Sequence, residues 1–297
     1  MTNDELRRNG LGKALVIRHS SFVILSAIVE GVTRSIEFSV DEAGVGVLRV
    51  NRPAARNALT WSAQEGFARA VQAASEMPGL RALIVTGTGE AFVSGGDLKE
   101  LAGHPEAAAG ERLNRLMSAA LDGLIALPCP VVAAINGDAI GGGCEILTAC
   151  DLRLAAPTAR FAFRQVHNGL TTGWGGTSRL VELIGQSQAM ELLLTGRMFT
   201  ATEAQALGLI HRLAPPGADT LAAARAWTEE LLRLPRRALA ATKSLVYAAG
   251  HLAPGDADRL EAQLFINLWP SPDHLEAMLA FIQKRPPVFN RSDSFPT

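Results

Sequence analysis

The chain reads as an α/β fold with a helical region appended at its C-terminal end, and three observations say so. Strands alternate with helices through the first half, whereas from Gly175 onward the apolar spacing is helical alone. Residues 82–86 and 131–135 are nearly continuous apolar runs, the pattern of strands buried on both faces. Each of these runs leads through glycine-rich loops to a helix start, so one strand-to-helix grammar is used twice.

The elements follow in order. Residues 35–40 and 45–50 read as strands joined by the turn Asp41-Glu42-Ala43-Gly44. Residues 61–77 carry Phe67, Ala70, Val71 and Ala74 at helical spacing and stop at Pro78-Gly79. After strand 82–86 comes Ser94-Gly95-Gly96, with Asp97 placed to cap a helix. Strand 131–135 breaks at Asn136-Gly137 and reaches the run Gly141-Gly142-Gly143. A short helix, 144–150, follows with Glu145 in its first turn. Residues 152–155 and 161–163 are shorter strand candidates. Helices are expected over 177–184, 186–194, 202–207, 221–234 and 236–249, and residues 256–284 add one or two more.

At 297 residues the chain suits one large domain or two small ones. Hydrophobic content of 48% and charged content of 19% describe a soluble globular protein with a substantial core. A net charge of −1 without a basic face gives no support for nucleic acid. Cys129, Cys144 and Cys150 lack metal-ligand spacing and suit reduced thiols buried as small apolar groups in a cytoplasmic protein. Residues 1–33 form an extension of unknown role. Its apolar stretch 22–29 is too short to span a bilayer, and no small-residue cleavage site follows it.

Three adjacent glycines are a poor way to build a core, because each loses much backbone entropy on ordering. They do let another molecule approach bare backbone at a helix start, where free N–H groups and the dipole favour negative charge. A thioester oxygen turning into an enolate is such a charge. On its own the triple glycine also suits a tightly packed turn. Together with NRPAARNAL (residues 51–59), the segments RALIVTGTGEAFVSGGDLKEL (81–101) and PVVAAINGDAIGGGCEILTACDLR (130–153) resemble the crotonase superfamily of acyl-CoA enzymes, best known through enoyl-CoA hydratase. The likeness runs from about residue 35 to 290.

That resemblance implies a spiral of ββα repeats over residues 34–234 and a helical region, 235–297, that builds homotrimers or homohexamers. It implies Gly96 and Gly142 as oxyanion-hole residues and Glu145 as a catalytic carboxylate. Glu145, near a helix start, is expected to be ionised. Coenzyme A, part of the substrate rather than a cofactor, is expected against Arg56, Asn57, Ala58, Ser94, Gly95 and Asp97. Phe281 and Lys284 match residues that meet its adenine and phosphate, often across subunits, and residues 103–117 with Trp174 are expected to line the acyl pocket.

One position departs from the hydratase pattern. The second glutamate of those enzymes aligns with Gln165, which can hold water but cannot carry a proton. No Asp or Glu lies between Asp151 and Glu182, and His167 is the nearest group that titrates near neutrality. The expected activity is a lyase of enoyl-CoA hydratase/isomerase type in acyl-CoA or fatty acid metabolism. Decarboxylation of a malonyl-type thioester, which needs only one proton returned, is the mechanistic alternative. VSGGDL (93–98) and GWGGTSRLVELIG (173–185) also resemble the methylmalonyl/ethylmalonyl-CoA decarboxylase branch. A non-catalytic acyl-CoA-binding protein and a thioesterase complete the alternatives. No phosphate loop, dinucleotide fingerprint, serine elbow or zinc motif appears, so no metal and no membrane partner are expected.

Overall fold

The computed structural model describes residues 14–19, 22–27 and 34–290. Most of the extension 1–33, and residues 291–297 of the C-terminal region, lie outside the described residues. β1 (Ala14–His19) and β2 (Phe22–Ala27) pair antiparallel. β3 (Ile36–Val40) and β4 (Val45–Val50) form the expected hairpin. Its turn is held by Asp41 Oδ1, which accepts from the N–H groups of Ala43 and Val45, while Gly44 takes a φ of 82°. α1 (Trp61–Glu76) begins where Thr60 Oγ1 accepts from Ala63 N–H, and it buries Phe67, Ala70, Val71 and Ala74 as its spacing requires.

Three turns of chain then repeat one plan: a strand for a larger sheet, a strand for a smaller sheet, then helix. The first turn is β5 (Ala82–Gly87), β6 (Ala91–Val93), α2 (Leu98–Leu101) and α3 (Ala107–Ala126). The second is β7 (Val131–Ile135), β8 (Asp138–Ile140) and α4 (Gly142–Thr148). The third is β9 (Leu152–Ala155), β10 (Arg160–Ala162), α5 (Gly176–Ile184) and α6 (Gln186–Thr195). β11 (Phe199–Thr200), α7 (Ala201–Ala206) and β12 (Arg212–Leu213) complete the two sheets. The larger runs β12-β9-β7-β5-β4-β3 and is parallel except for β3–β4. The smaller runs β11-β10-β8-β6 and is parallel except for β10–β11. This is the α/β spiral of ββα turns that the resemblance implies.

Every residue of β5 and of β7 is buried, as their apolar runs require. Each buried Val, Ile or Leu side chain contributes about 1.5–3 kcal/mol relative to exposure. β6 and β8, three residues each, escape a reading by periodicity because they are too short to display one. The 20-residue α3 was not anticipated as a helix either. Its alanine-rich first turns bury little, so the apolar stripe is clear only from Met117 onward.

The described residues pack into two units, those up to 127 with 131–226, and 128–130 with 227–290. α8 (Thr220–Leu232) runs from one to the other. The second unit holds α9 (Arg236–His251), α10 (Pro254–Leu268) and α11 (Pro272–Ile282). In it Lys243 Nζ donates to the Cys129 carbonyl, and Asn290 ties back to Arg236 N–H and the Leu234 carbonyl.

Candidate active site

The site follows from sheet topology. β6, β8 and β10 are parallel neighbours in the smaller sheet, so all three end on the same side. Beyond β6 lies Ser94-Gly95-Gly96, beyond β8 the run Gly141-Gly142-Gly143 and Glu145, and beyond β10 Gln165. Parallel sheets open their binding crevices at these carboxyl ends. A cavity of about 560 Å³ occupies this place, and Gly96, Gly142, Glu145, Gln165 and Trp174 all line it. Ser94 and Gly95 line it as well, with Leu98, Leu101, Leu113 and Leu170 supplying apolar wall.

The two glycine turns abut. A Cβ added to Gly95, which has a φ of 91°, would lie 3.1 Å from the Gly142 nitrogen. Among the described residues neither the Gly96 nor the Gly142 N–H is taken up by another group, as expected where helices begin. Gly95 is pinned from outside, since its carbonyl accepts from Leu59 N–H at 2.8 Å and Asp97 N–H donates back to the Leu59 carbonyl.

Glu145 is 2% exposed and its carboxylate accepts four hydrogen bonds. Gln165 Nε2 and Gly173 N–H donate to Oε1 at 2.8 and 3.3 Å. Trp174 N–H and Gly176 N–H donate to Oε2 at 2.7 and 3.0 Å. The last two belong to the start of α5, so the carboxylate faces the N-terminus of a second helix besides its own. The helix start is not the only influence on the Glu145 carboxyl. Burial pushes its carboxyl above the ordinary range, ahead of the opposing pull of the backbone and Gln165 donors. The loop Gly173-Trp174-Gly175-Gly176 supplies the backbone donors, a role beyond the pocket lining expected of Trp174. Its closely spaced glycines, which leave N–H groups unshielded, were the available signal.

Other expected residues fall elsewhere. Arg56 and Arg160 both bind the buried carboxylate of Asp138 at 2.7 Å. The Asn57 side chain is fully buried and spent on Arg52 N–H and the carbonyls of Thr88 and Ala91. Asp97 is the N-cap residue of α2, as expected, and its carboxylate pairs with Arg52 Nη1 at 3.1 Å. Arg56, Asn57, Ala58 and Asp97 lie outside the cavity lining, although the neighbouring Leu59 bridges to Gly96. Phe281 is 85% exposed on α11 and Lys284 follows that helix at a φ of 53°, both in the second unit. His167 is exposed, with its Nε2 at the Thr195 carbonyl. All three cysteines are free and buried, and burial raises the Cys144 thiol. Among the described residues no helix is long and apolar enough to cross a membrane.

Two abutting glycine turns and one buried carboxylate thus line a single cavity at the carboxyl ends of parallel strands. The chain belongs to the enoyl-CoA hydratase/isomerase family, which matches residues 41–292. It is 35% identical over 245 residues to a probable enoyl-CoA hydratase of Mycobacterium bovis, covering 82% of this chain and 94% of that one. It is 33% identical over 246 residues to an ethylmalonyl-CoA decarboxylase of Gallus gallus, covering 82% and 83%. A crystal structure of an enoyl-CoA hydratase from Mycobacterium smegmatis superposes with a TM-score of 0.81 at 30% identity, over 86% of this chain and 98% of that one.

Proposed function

We infer that this protein is an acyl-CoA lyase that holds the thioester oxygen between the N–H groups of Gly96 and Gly142 and moves protons through Glu145. The convergence of both glycine turns and Glu145 on one cavity carries this reading. As negative charge gathers on the thioester oxygen, two donors fixed in advance stabilise it without reorganising, and losing one such donor costs about 10²–10³ in rate. Glu145 supplies general acid–base help worth about 10²–10⁴. The acyl group lies along Leu101, Leu113 and Trp174. Coenzyme A follows the backbone of 56–58 and 94–97, and its adenine meets Phe281 and Lys284 of a neighbouring subunit in a trimer or hexamer. The apolar side chains that α10 leaves exposed, Phe265 at 60% and Ile266 at 65%, support such an assembly. The setting is cytoplasmic, and no cofactor is required.

Hydration of an enoyl-CoA is the first reading. Decarboxylation of a malonyl-type thioester is the second, favoured by one observation: among the described residues Glu145 is the only carboxylate that lines the cavity, and Gln165 is bonded directly to it. A substrate panel tests both. Loss of enoyl absorbance from crotonyl-CoA reports hydration, and CO₂ release from methylmalonyl- or ethylmalonyl-CoA reports decarboxylation. Tight thioester binding with no turnover across chain lengths would instead mark a non-catalytic binding protein, and release of free thiol would mark a thioesterase.

A further inference from the structure

The lone pairs of Glu145 are fully used. A carboxylate offers about four acceptor positions, and Gln165, Gly173, Trp174 and Gly176 donate into them. Three of these donors are backbone amides that cannot turn away, so a protonated Glu145 finds no acceptor among them. Gln165 is different, because its side-chain amide carries a donor at one end and an acceptor at the other. In the present arrangement its Nε2 serves Glu145, while its own Oε1 is buried without a partner. An orphaned buried carbonyl is costly. A half-turn of the amide would bring that orphan to Oε1 of Glu145, the one place where a protonated Glu145 needs an acceptor.

We propose that Gln165 is the positioning residue that lets Glu145 exchange a proton, its amide reversing between donor to the carboxylate and acceptor from the acid. This rests on the lyase reading of the site. In the acid state the Gln165 amide hydrogens turn from Glu145 toward the cavity, where they meet an acceptor on the thioester such as the carboxylate of a malonyl-type acyl group. When that carboxylate leaves as CO₂, its bonding pair passes into the thioester enolate. The Glu145 O–H then breaks as the C–H bond forms at the α-carbon. Glu145 becomes a carboxylate, the amide swings back to it, and solvent restores the proton.

Among the described residues, the other ionisable groups near Glu145 are engaged elsewhere. On α4 itself Cys144 is buried with its thiol on the Ala139 carbonyl. From α5, Arg179 engages Thr148 Oγ1 and the Trp174 carbonyl. From β8, Asp138 is held by Arg56 and Arg160, and β6 carries no charged residue. In the turn after β10, Arg164 and His167 are directed to the carbonyls of Gly196 and Thr195.

Infrared difference titration of the intact protein tests the proposal without substrate. The carboxylic acid C=O band that vanishes in Glu145→Gln belongs to Glu145. In Gln165→Met, which keeps size and removes both donor and acceptor, this band moves to higher frequency because the acid loses its partner. In Gln165→His, which keeps a donor and an acceptor, the band stays near its wild-type position. An identical band in wild type and Gln165→Met overturns the proposal, as does the absence of any titrating band removed by Glu145→Gln. Because no turnover is needed, a shifted band in a protein that acts on no thioester upholds the pair while defeating the lyase reading.

Discussion

The turn at Gly95-Gly96 and the turn at Gly142-Gly143 stand side by side at the ends of β6 and β8, yet their glycines are surrounded very differently. A methyl group on Gly96 would meet only the tip of the Leu101 side chain, at 2.7 Å from Cδ1. One on Gly142 would overlap the indole ring of Trp174, and one on Gly143 would overlap the backbone carbonyl of Val93. The first turn borders a flexible side chain that can rotate aside. The second is wedged between an aromatic ring and the strand next door, with Glu145 two residues further on. Gly96 therefore has room for a methyl group that Gly142 and Gly143 lack, although Gly96 and Gly142 offer the same N–H group.

Substitutions should separate the two. The largest effect is expected for Gly143→Ala, where backbone must shift to admit the methyl group. It should destabilise the protein by about 3 kcal/mol, read from urea unfolding. Gly142→Ala should displace Trp174 and lower the turnover rate by about 10²–10³, with a smaller loss of stability. Gly96→Ala should cost less than about tenfold in rate, since a Leu101 rotamer change absorbs the strain. Equal losses at Gly96 and Gly142 would mean that Trp174 does not fix the second turn.

The same contrast extends to the carboxylate held by the second turn. Glu145→Gln should lower turnover by about 10²–10⁴ while leaving the fold intact. Its stability should also depend differently on pH. Burial raises the folded Glu145 carboxyl above its unfolded value. Its contribution to stability is therefore present below the unfolded value and lost as pH rises through the folded one. Unfolding midpoints of wild type should fall across that range relative to Glu145→Gln, which has no proton to lose. For Gln165→Glu the outcome depends on the reaction. A hydratase should gain about 10² in crotonyl-CoA hydration, the scale of one added general acid, whereas a decarboxylase should bind its anionic substrate more weakly. The smallest effect is expected for Trp174→Phe, which keeps the Trp174 N–H to Glu145 and an aromatic cover on Gly142, and should change turnover by less than about threefold.

Much of this arrangement was legible in the residues. The apolar runs of β5 and β7 announced strands buried on both faces, because alternation disappears when both sides pack. The glycine runs announced backbone left bare at helix starts, and Glu145 stood where a helix begins. Gln165 was visible as a departure because the resemblance sets it where hydratases carry their second glutamate, and no Asp or Glu between Asp151 and Glu182 replaces it. Hydrogen-bond geometry was not legible. β6 and β8 are too short to show a period, yet their parallel pairing is what sets the two turns against each other. Asp97 stands at the N-cap position expected of it, but its carboxylate is engaged by Arg52, 45 residues earlier.

What the sequence determined by itself was therefore the inventory: which strands are buried, where backbone is exposed, and that Glu145 stands in the first turn of the helix after the triple glycine. Only the tertiary structure decided the state of that carboxylate. Gly173, Trp174 and Gly176 lie 28 to 31 positions away along the chain. Folding brings their N–H groups onto Glu145 and at the same time removes water from it. Local patterns encode propensity and periodicity, but the balance between desolvation and hydrogen bonding at one oxygen is set by groups that meet only when the spiral closes.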